Sequence, residues 1–149
     1  MNIDEYIEQR LEKLKSEIVG NMEAKKINAS GRTASSFRVE KYDNGFRLIG
    51  GGEGAAPLFT LEVGRPGGKV PYNFTSILVQ WSRDKGLTFE TERERNTFAY
   101  FLGKKIAREG TKRNKQKEDI YSSAVKSAVE DISKQLLVSV KEQIQLNFK

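Results

Sequence analysis

No cysteine and no histidine occur anywhere in the chain. Without cysteine there is no disulfide framework, no thiolate nucleophile and no zinc site of the Cys/His type. Without histidine the usual general base near neutral pH is gone, and with it every Ser-His-Asp or Cys-His constellation. Any catalysis would have to rest on paired carboxylates, a tuned lysine or a phosphate loop. Long apolar runs are missing too: each spans only a few residues, so no stretch reads as a transmembrane helix. The opening residues Met1-Asn2-Ile3-Asp4-Glu5 are acidic and lack the apolar segment of a secretory leader, which predicts a chain that stays in the cytoplasm.

What is present is charge. Of 149 residues, 26 are Lys or Arg and 20 are Asp or Glu, for a net charge of +6 and a sequence pI near 9.5. The 37% of hydrophobic residues supply one core, and the length fits one domain. A basic balance favours acidic partners or nucleic acid, although a solvated basic surface gives the same number.

Apolar periodicity predicts the elements. Ile3, Ile7, Leu11, Leu14, Ile18 and Met22 fall on one helical stripe, which predicts a helix within residues 1–28. Phe37 and Val39, then Phe46 and Leu48, alternate with charged residues around Asn44-Gly45, a hairpin signal. Leu58-Phe59-Thr60-Leu61-Glu62-Val63 alternates as well and reads as a third strand with Glu62 on its solvent face, giving a β-meander over residues 34–65. Residues 72–110 carry two helices, the first capped by Asn73 with Phe74, Ile77, Leu78 and Trp81 on one face. The second opens with a Thr91/Glu94 capping box, carries Phe98, Phe101, Leu102 and Ile106, and stops at Gly110. Apolar residues at intervals of four from Ile120 to Ile144 predict a long last helix over residues 118–146, antiparallel to the first. The expected fold is therefore α+β: an antiparallel three- to four-stranded sheet packed by N- and C-terminal helices, with a helical insertion between sheet and last helix.

No candidate chemistry survives its own spacing rule. Gly64-Arg65-Pro66-Gly67-Gly68-Lys69 is one residue short of a phosphate loop, and Val70 stands where a Ser or Thr must hold the metal. It reads instead as a contact loop bearing Arg65 and Lys69. The glycine-rich Gly50-Gly51-Gly52-Glu53-Gly54 lacks the helix that a dinucleotide fingerprint requires; it reads as a tip that meets a neighbour through Gly51, Gly52 and Glu53. The acidic pairs Asp4/Glu8 and Glu90/Glu94 lie among Lys and Arg and read as surface ion pairs. No acidic cluster is dense enough for an oxygen-ligand metal site. The expectation is a chain with no catalytic residue, no metal and no cofactor. Lys104, Lys105, Arg108, Lys112, Arg113, Lys115 and Lys117 form the one dense basic run. As a contact it suits DNA phosphates or an acidic partner surface; with no aromatic between Phe101 and Tyr121 it does not suit base reading. Phe74, Trp81, Phe98 and Phe101 read as packing residues.

At this point the residues resemble a family. Ala29-Ser30-Gly31-Arg32-Thr33-Ala34-Ser35-Ser36-Phe37-Arg38-Val39 resembles the entry into the first strand of phage head–tail connector and tail-completion proteins, with Ala29-Ser30-Gly31 where an Asp-Thr-Gly-like step is usual. Ala56-Pro57-Leu58-Phe59-Thr60-Leu61-Glu62-Val63-Gly64-Arg65 looks like that family's third strand. Gly68-Lys69-Val70-Pro71-Tyr72-Asn73-Phe74, Trp81, Lys85-Gly86, Ile106-Ala107-Arg108-Glu109-Gly110-Thr111 and Asp119-Ile120-Tyr121-Ser122 are similar to a phage and prophage branch of it. The resemblance implies a non-enzymatic virion subunit, made in the host cytoplasm, that forms a homo-oligomeric ring at the neck or upper tail. It would contact other virion proteins and, in its channel, DNA without sequence preference, and no membrane. The alternative class is a nonspecific nucleic-acid-binding protein.

Overall fold

The computed structural model describes residues 2–27, 30–50, 58–112 and 119–147. In chain order these form α1 (Ile3–Ala24), α2 (Arg32–Ser35), β1 (Arg38–Tyr42), β2 (Gly45–Ile49), α3 (Leu58–Val63), α4 (Phe74–Asp84), α5 (Glu92–Glu109) and α6 (Ser122–Asn147). Among the described residues the fold is mostly helical, with a single two-stranded antiparallel sheet.

Helix α1 starts at a capping box: the Asp4 N–H donates to Asn2 Oδ1 at 3.2 Å and the Asn2 N–H donates to Glu5 Oε2 at 3.3 Å. Its four-residue spacing then buries Leu14, Ile18 and Met22 on one side. That side meets the antiparallel α6 and the β1–β2 hairpin, so Phe37, Ile120 and Ala128 join the same core, with Leu48 packed against it. A polar seam runs beside it. Arg10, 6% exposed, donates from Nε to Asp131 on α6 at 2.8 Å, reaches Ser127 Oγ at 3.4 Å and pairs with Glu17 at 3.5 Å. One turn from the other end of α1, the Asn21 side-chain amide donates to the Ile120 carbonyl at 2.9 Å. These two ties set the register of α1 on α6.

Helices α4 and α5 form a second antiparallel pair with its own small core of Leu78, Val79 and Ala99, flanked by Phe74, Leu102 and Ile106. Arg95 holds their connector. It donates to Ser82 Oγ at 2.9 Å and to the Leu87 carbonyl at 3.1 Å, and its guanidinium lies 4.9 Å from the Phe89 ring centroid. The pair is tied to the α1 end of the molecule by polar contacts: Lys85 Nζ donates to the Lys26 carbonyl at 2.8 Å, and Arg32 pairs with Asp84 at 3.3 Å.

The expected three- to four-stranded sheet and the 34–65 meander do not form. Residues Arg32–Ser35 make a helical turn, the strands begin at Arg38, and Leu58–Val63 is helix α3. The physical reason lies in Glu62. On a strand its carboxylate would face water; on α3 it is buried at 4% exposure and accepts from the N–H groups at the start of α6. Gly64, at φ 78°, is then a helix stop, its N–H donating to the Thr60 carbonyl. Three smaller expectations shift as well. Tyr42 pairs with Gly45, so Asp43-Asn44 is the loop, and neither has the positive φ of a type I′ turn. Asn73 occupies the N-cap of α4 but makes no capping hydrogen bond. Thr91 does cap α5 by accepting from the Glu94 N–H, whereas the Glu94 carboxylate accepts from the Glu90 N–H rather than that of Thr91.

Gly110 closes α5 at φ 73° and ψ −161°, a region open essentially to glycine alone. A Cβ there would lie 2.1 Å from the Arg65 carbonyl oxygen, a backbone atom that cannot swing away. Gly110→Ala is therefore expected to cost at least about 2 kcal/mol, from left-handed strain plus the displaced loop. Urea unfolding reads it; a loss under about 0.5 kcal/mol would mean that this junction is loose.

Candidate assembly surfaces

The loop after α3 is pinned at its base, not a free contact arm. Arg65 and Thr111 exchange backbone hydrogen bonds of 3.0 and 2.9 Å, and the Gly68 N–H donates to the Ala107 carbonyl at 2.8 Å. The Arg65 guanidinium folds back onto the Lys69 carbonyl at 3.0 Å. Backbone N–H groups that a phosphate loop would turn toward its ligand are thus committed to protein carbonyls. Of the residues expected to make contacts here, Lys69 is exposed and Arg65 is half-buried. Gly51, Gly52 and Glu53 lie outside the described residues.

The basic run divides in the same way. Lys104, Lys105, Arg108 and Lys112 are all exposed at the C-terminal end of α5, while Arg113, Lys115 and Lys117 lie outside the described residues. Lys104 Nζ sits 4.8 Å from the Tyr100 ring centroid, and Arg108 grips Glu109 through Nη2 at 2.5 Å, holding that carboxyl below its ordinary value. Cations at a helix C-terminus complement its dipole, which accounts for part of the cluster without a ligand.

Glu62 is the strongest polar constellation, and it is structural. Its carboxylate accepts the Ile120, Tyr121 and Ser122 N–H groups at 3.2, 3.0 and 3.3 Å and the Ser122 hydroxyl. Burial, the largest single effect on it, pushes the carboxyl up. The hydrogen bonds from Ser122, Tyr121 and Ile120 together outweigh burial and hold it below the ordinary 4.5. Oε2 takes all three N–H groups and Oε1 the Ser122 hydroxyl, so both oxygens are engaged in holding the start of α6. Among the described residues no group of three or more acidic side chains is placed to hold a metal, and no helix is long and apolar enough to cross a membrane.

The apolar surfaces are what sequence reasoning missed. The four-residue stripe of α6 is buried where it starts, at Ile120 and Ala128, and open where it continues, at Leu136, Val140 and Ile144. Register explains the change at Val140 and Ile144. With Arg10 beside Asp131 and Asn21 beside Ile120, the first residue of α1 lies level with Val138, so the end of α6 runs on for roughly 13 Å without α1 beside it. Val138, Val140, Ile144 and Leu146 occupy different sides of that overhang, and all are exposed. They alternate there with polar residues such as Lys141, Glu142, Gln143 and Gln145, so no single face of the overhang is wholly polar. The available signal was Leu136-Leu137-Val138, which no single buried stripe can absorb.

A second apolar surface lies on the outer face of α5. Phe98 and Phe101, expected to be packing residues, are exposed instead, Phe101 by 64%. With Phe89 and Leu102 they line an open groove of about 690 Å³, rimmed by Arg93, Glu94 and Lys105. Their spacing with Leu102 and Ile106 placed them on one broad apolar face, but α4 covers only the Ala99, Leu102 and Ile106 side of it.

Comparison with protein-family models, with curated proteins and with solved structures gives no match.

Proposed function

We propose that this chain is a non-enzymatic assembly subunit, of the kind that forms a ring at the head–tail junction or upper tail of a phage virion and joins neighbouring virion proteins around the DNA channel. The observation that carries the assembly part is the open apolar length of α6, from Val129 to Leu146. Exposed apolar area of this extent is a contact surface awaiting a partner. The position in a virion rests on the sequence resemblance alone. With Leu58–Val63 helical, the part of that resemblance that equated this segment with a third strand falls away. The strand entry at Ser30–Val39 and the segments flanking α4 and α5 are what support it.

A second reading, nonspecific binding of nucleic acid, is favoured by one feature. Tyr100 and Phe101 sit edge to face beside Lys104, Lys105 and Arg108 on exposed surface, an arrangement of cations and π-faces that suits a nucleic-acid strand. The two readings separate in one experiment. Virus particles purified from cells that encode the chain, analysed by mass spectrometry, are expected to contain it at several copies per particle. Its absence from particles, together with salt-sensitive retention of the isolated protein on arbitrary DNA, would replace the assembly reading with the nucleic-acid one.

A further inference from the structure

We propose that the exposed apolar side of α6, from Val129 to Leu146, docks into the α5 aromatic groove of a second copy of this chain, so that subunits join head to tail. This rests on the assembly reading and specifies which surfaces would meet.

Three observations point to this occupant. First, area: at their exposures, Val129, Leu136, Leu137, Val140, Ile144 and Leu146 present roughly 600 Å² of apolar surface, the upper end of what a monomer leaves open and most of the ~800 Å² that one partner gives a standard interface. Second, the two open faces belong to helices that bury their other sides in different cores, α6 with α1 and α5 with α4. Neither face blocks the other, so each subunit can donate one and accept with the other. Third, charge: the last turn of α6 carries no basic residue to offset the negative pole of its helix dipole. The groove itself is rimmed by Arg93 and Lys105 against Glu94, a net positive rim, with Lys104 further along α5. An exposed ring such as that of Phe101 in a groove is the usual form of an interface anchor.

The contact is heterologous, two unlike patches, and a heterologous contact repeated with a closing rotation makes a ring. Self-pairing of α6 would instead make a closed two-fold dimer and leave the α5 groove empty.

Mixing two variants tests this. Leu137→Asp spoils the donor face and Phe101→Asp the acceptor groove. Both residues are exposed, by 62% and 64%, so each variant should keep the wild-type circular dichroism and unfolding midpoint. Light scattering should find the wild type oligomeric and each variant alone at its single-chain mass of 16.9 kDa. The two mixed in equal amounts should give a dimer and nothing larger, because only one intact donor–acceptor contact remains. If Phe101→Asp assembles as well as wild type while Leu137→Asp does not, α6 pairs with itself or another site; the inference then fails and the assembly reading stands. A mixture that stays monomeric also overturns the inference. A wild type that is monomeric at every concentration overturns both.

Discussion

Replacing Glu62 with alanine is expected to cost about 3 kcal/mol, the largest loss from any single side chain outside the two cores. A helix start leaves backbone N–H groups without partners, and capping residues there contribute up to about 2 kcal/mol. Glu62 takes three such groups and a hydroxyl, from 58 residues away in the chain, and Ile120 beside them is fully buried. Alanine leaves the buried Ile120 N–H and the part-buried Tyr121 and Ser122 donors without their acceptor, at about 1–3 kcal/mol for a buried unsatisfied group and less for a part-buried one. Hydrogen exchange at Ile120–Ser122 should accelerate along with the fall in global stability. A loss below about 1 kcal/mol would show that the start of α6 does not depend on α3.

The same group sets a pH dependence. Its folded carboxyl lies below the ordinary value of 4.5, so its contribution is complete above that value and is lost as the pH falls through the lower, folded value. Glu62→Gln, which keeps the shape but not the charge, should start from lower stability near neutral pH and lose less on acidification than the wild type. Parallel acid limbs for the two proteins would contradict this.

The second large effect is an asymmetry across the α1–α6 seam. Asp131→Ala is expected to cost about 2 kcal/mol, and Arg10→Met about 1 kcal/mol or less. The cause is burial. The guanidinium is 6% exposed, whereas Asp131 is 40% exposed and Glu17 is 33% exposed. Removing Asp131 strands a buried cation on a 3.5 Å contact to Glu17 and on Ser127. Removing the cation lets both carboxylates turn to water while methionine refills the space. Denaturant midpoints of the two variants decide the matter; equal losses would mean that the pair is solvated and contributes little.

Both helices of that seam were readable from spacing alone, because a four-residue apolar repeat over five or more turns has no strand alternative. The hairpin was readable because alternation and a turn signal coincided. Leu58–Val63 was not, since six residues of alternating polarity fit a strand and a short helix equally well. What decides between them is an acceptor needed by Ile120–Ser122, and sequence does not announce a contact across 58 positions. The candidate surfaces failed to show for a related reason. An apolar stripe says which side of a helix avoids water, not how long its partner is. Ile144 belongs to the same stripe as Ala128, but α1 ends before it reaches that residue. Arg65 shows what spacing cannot convey: this loop residue bonds the Lys69 carbonyl through its guanidinium and Thr111 through its backbone.

The measurement that bears most directly on the central claim is the mass of the purified chain by light scattering across a hundredfold range of concentration. An assembly subunit with α6 uncovered should pass from a 16.9 kDa monomer to a discrete multiple of that mass as concentration rises, with the transition abolished by Leu137→Asp. A single 16.9 kDa species at every concentration, with the same open α6 surface, would contradict the claim that this chain works by joining copies of itself.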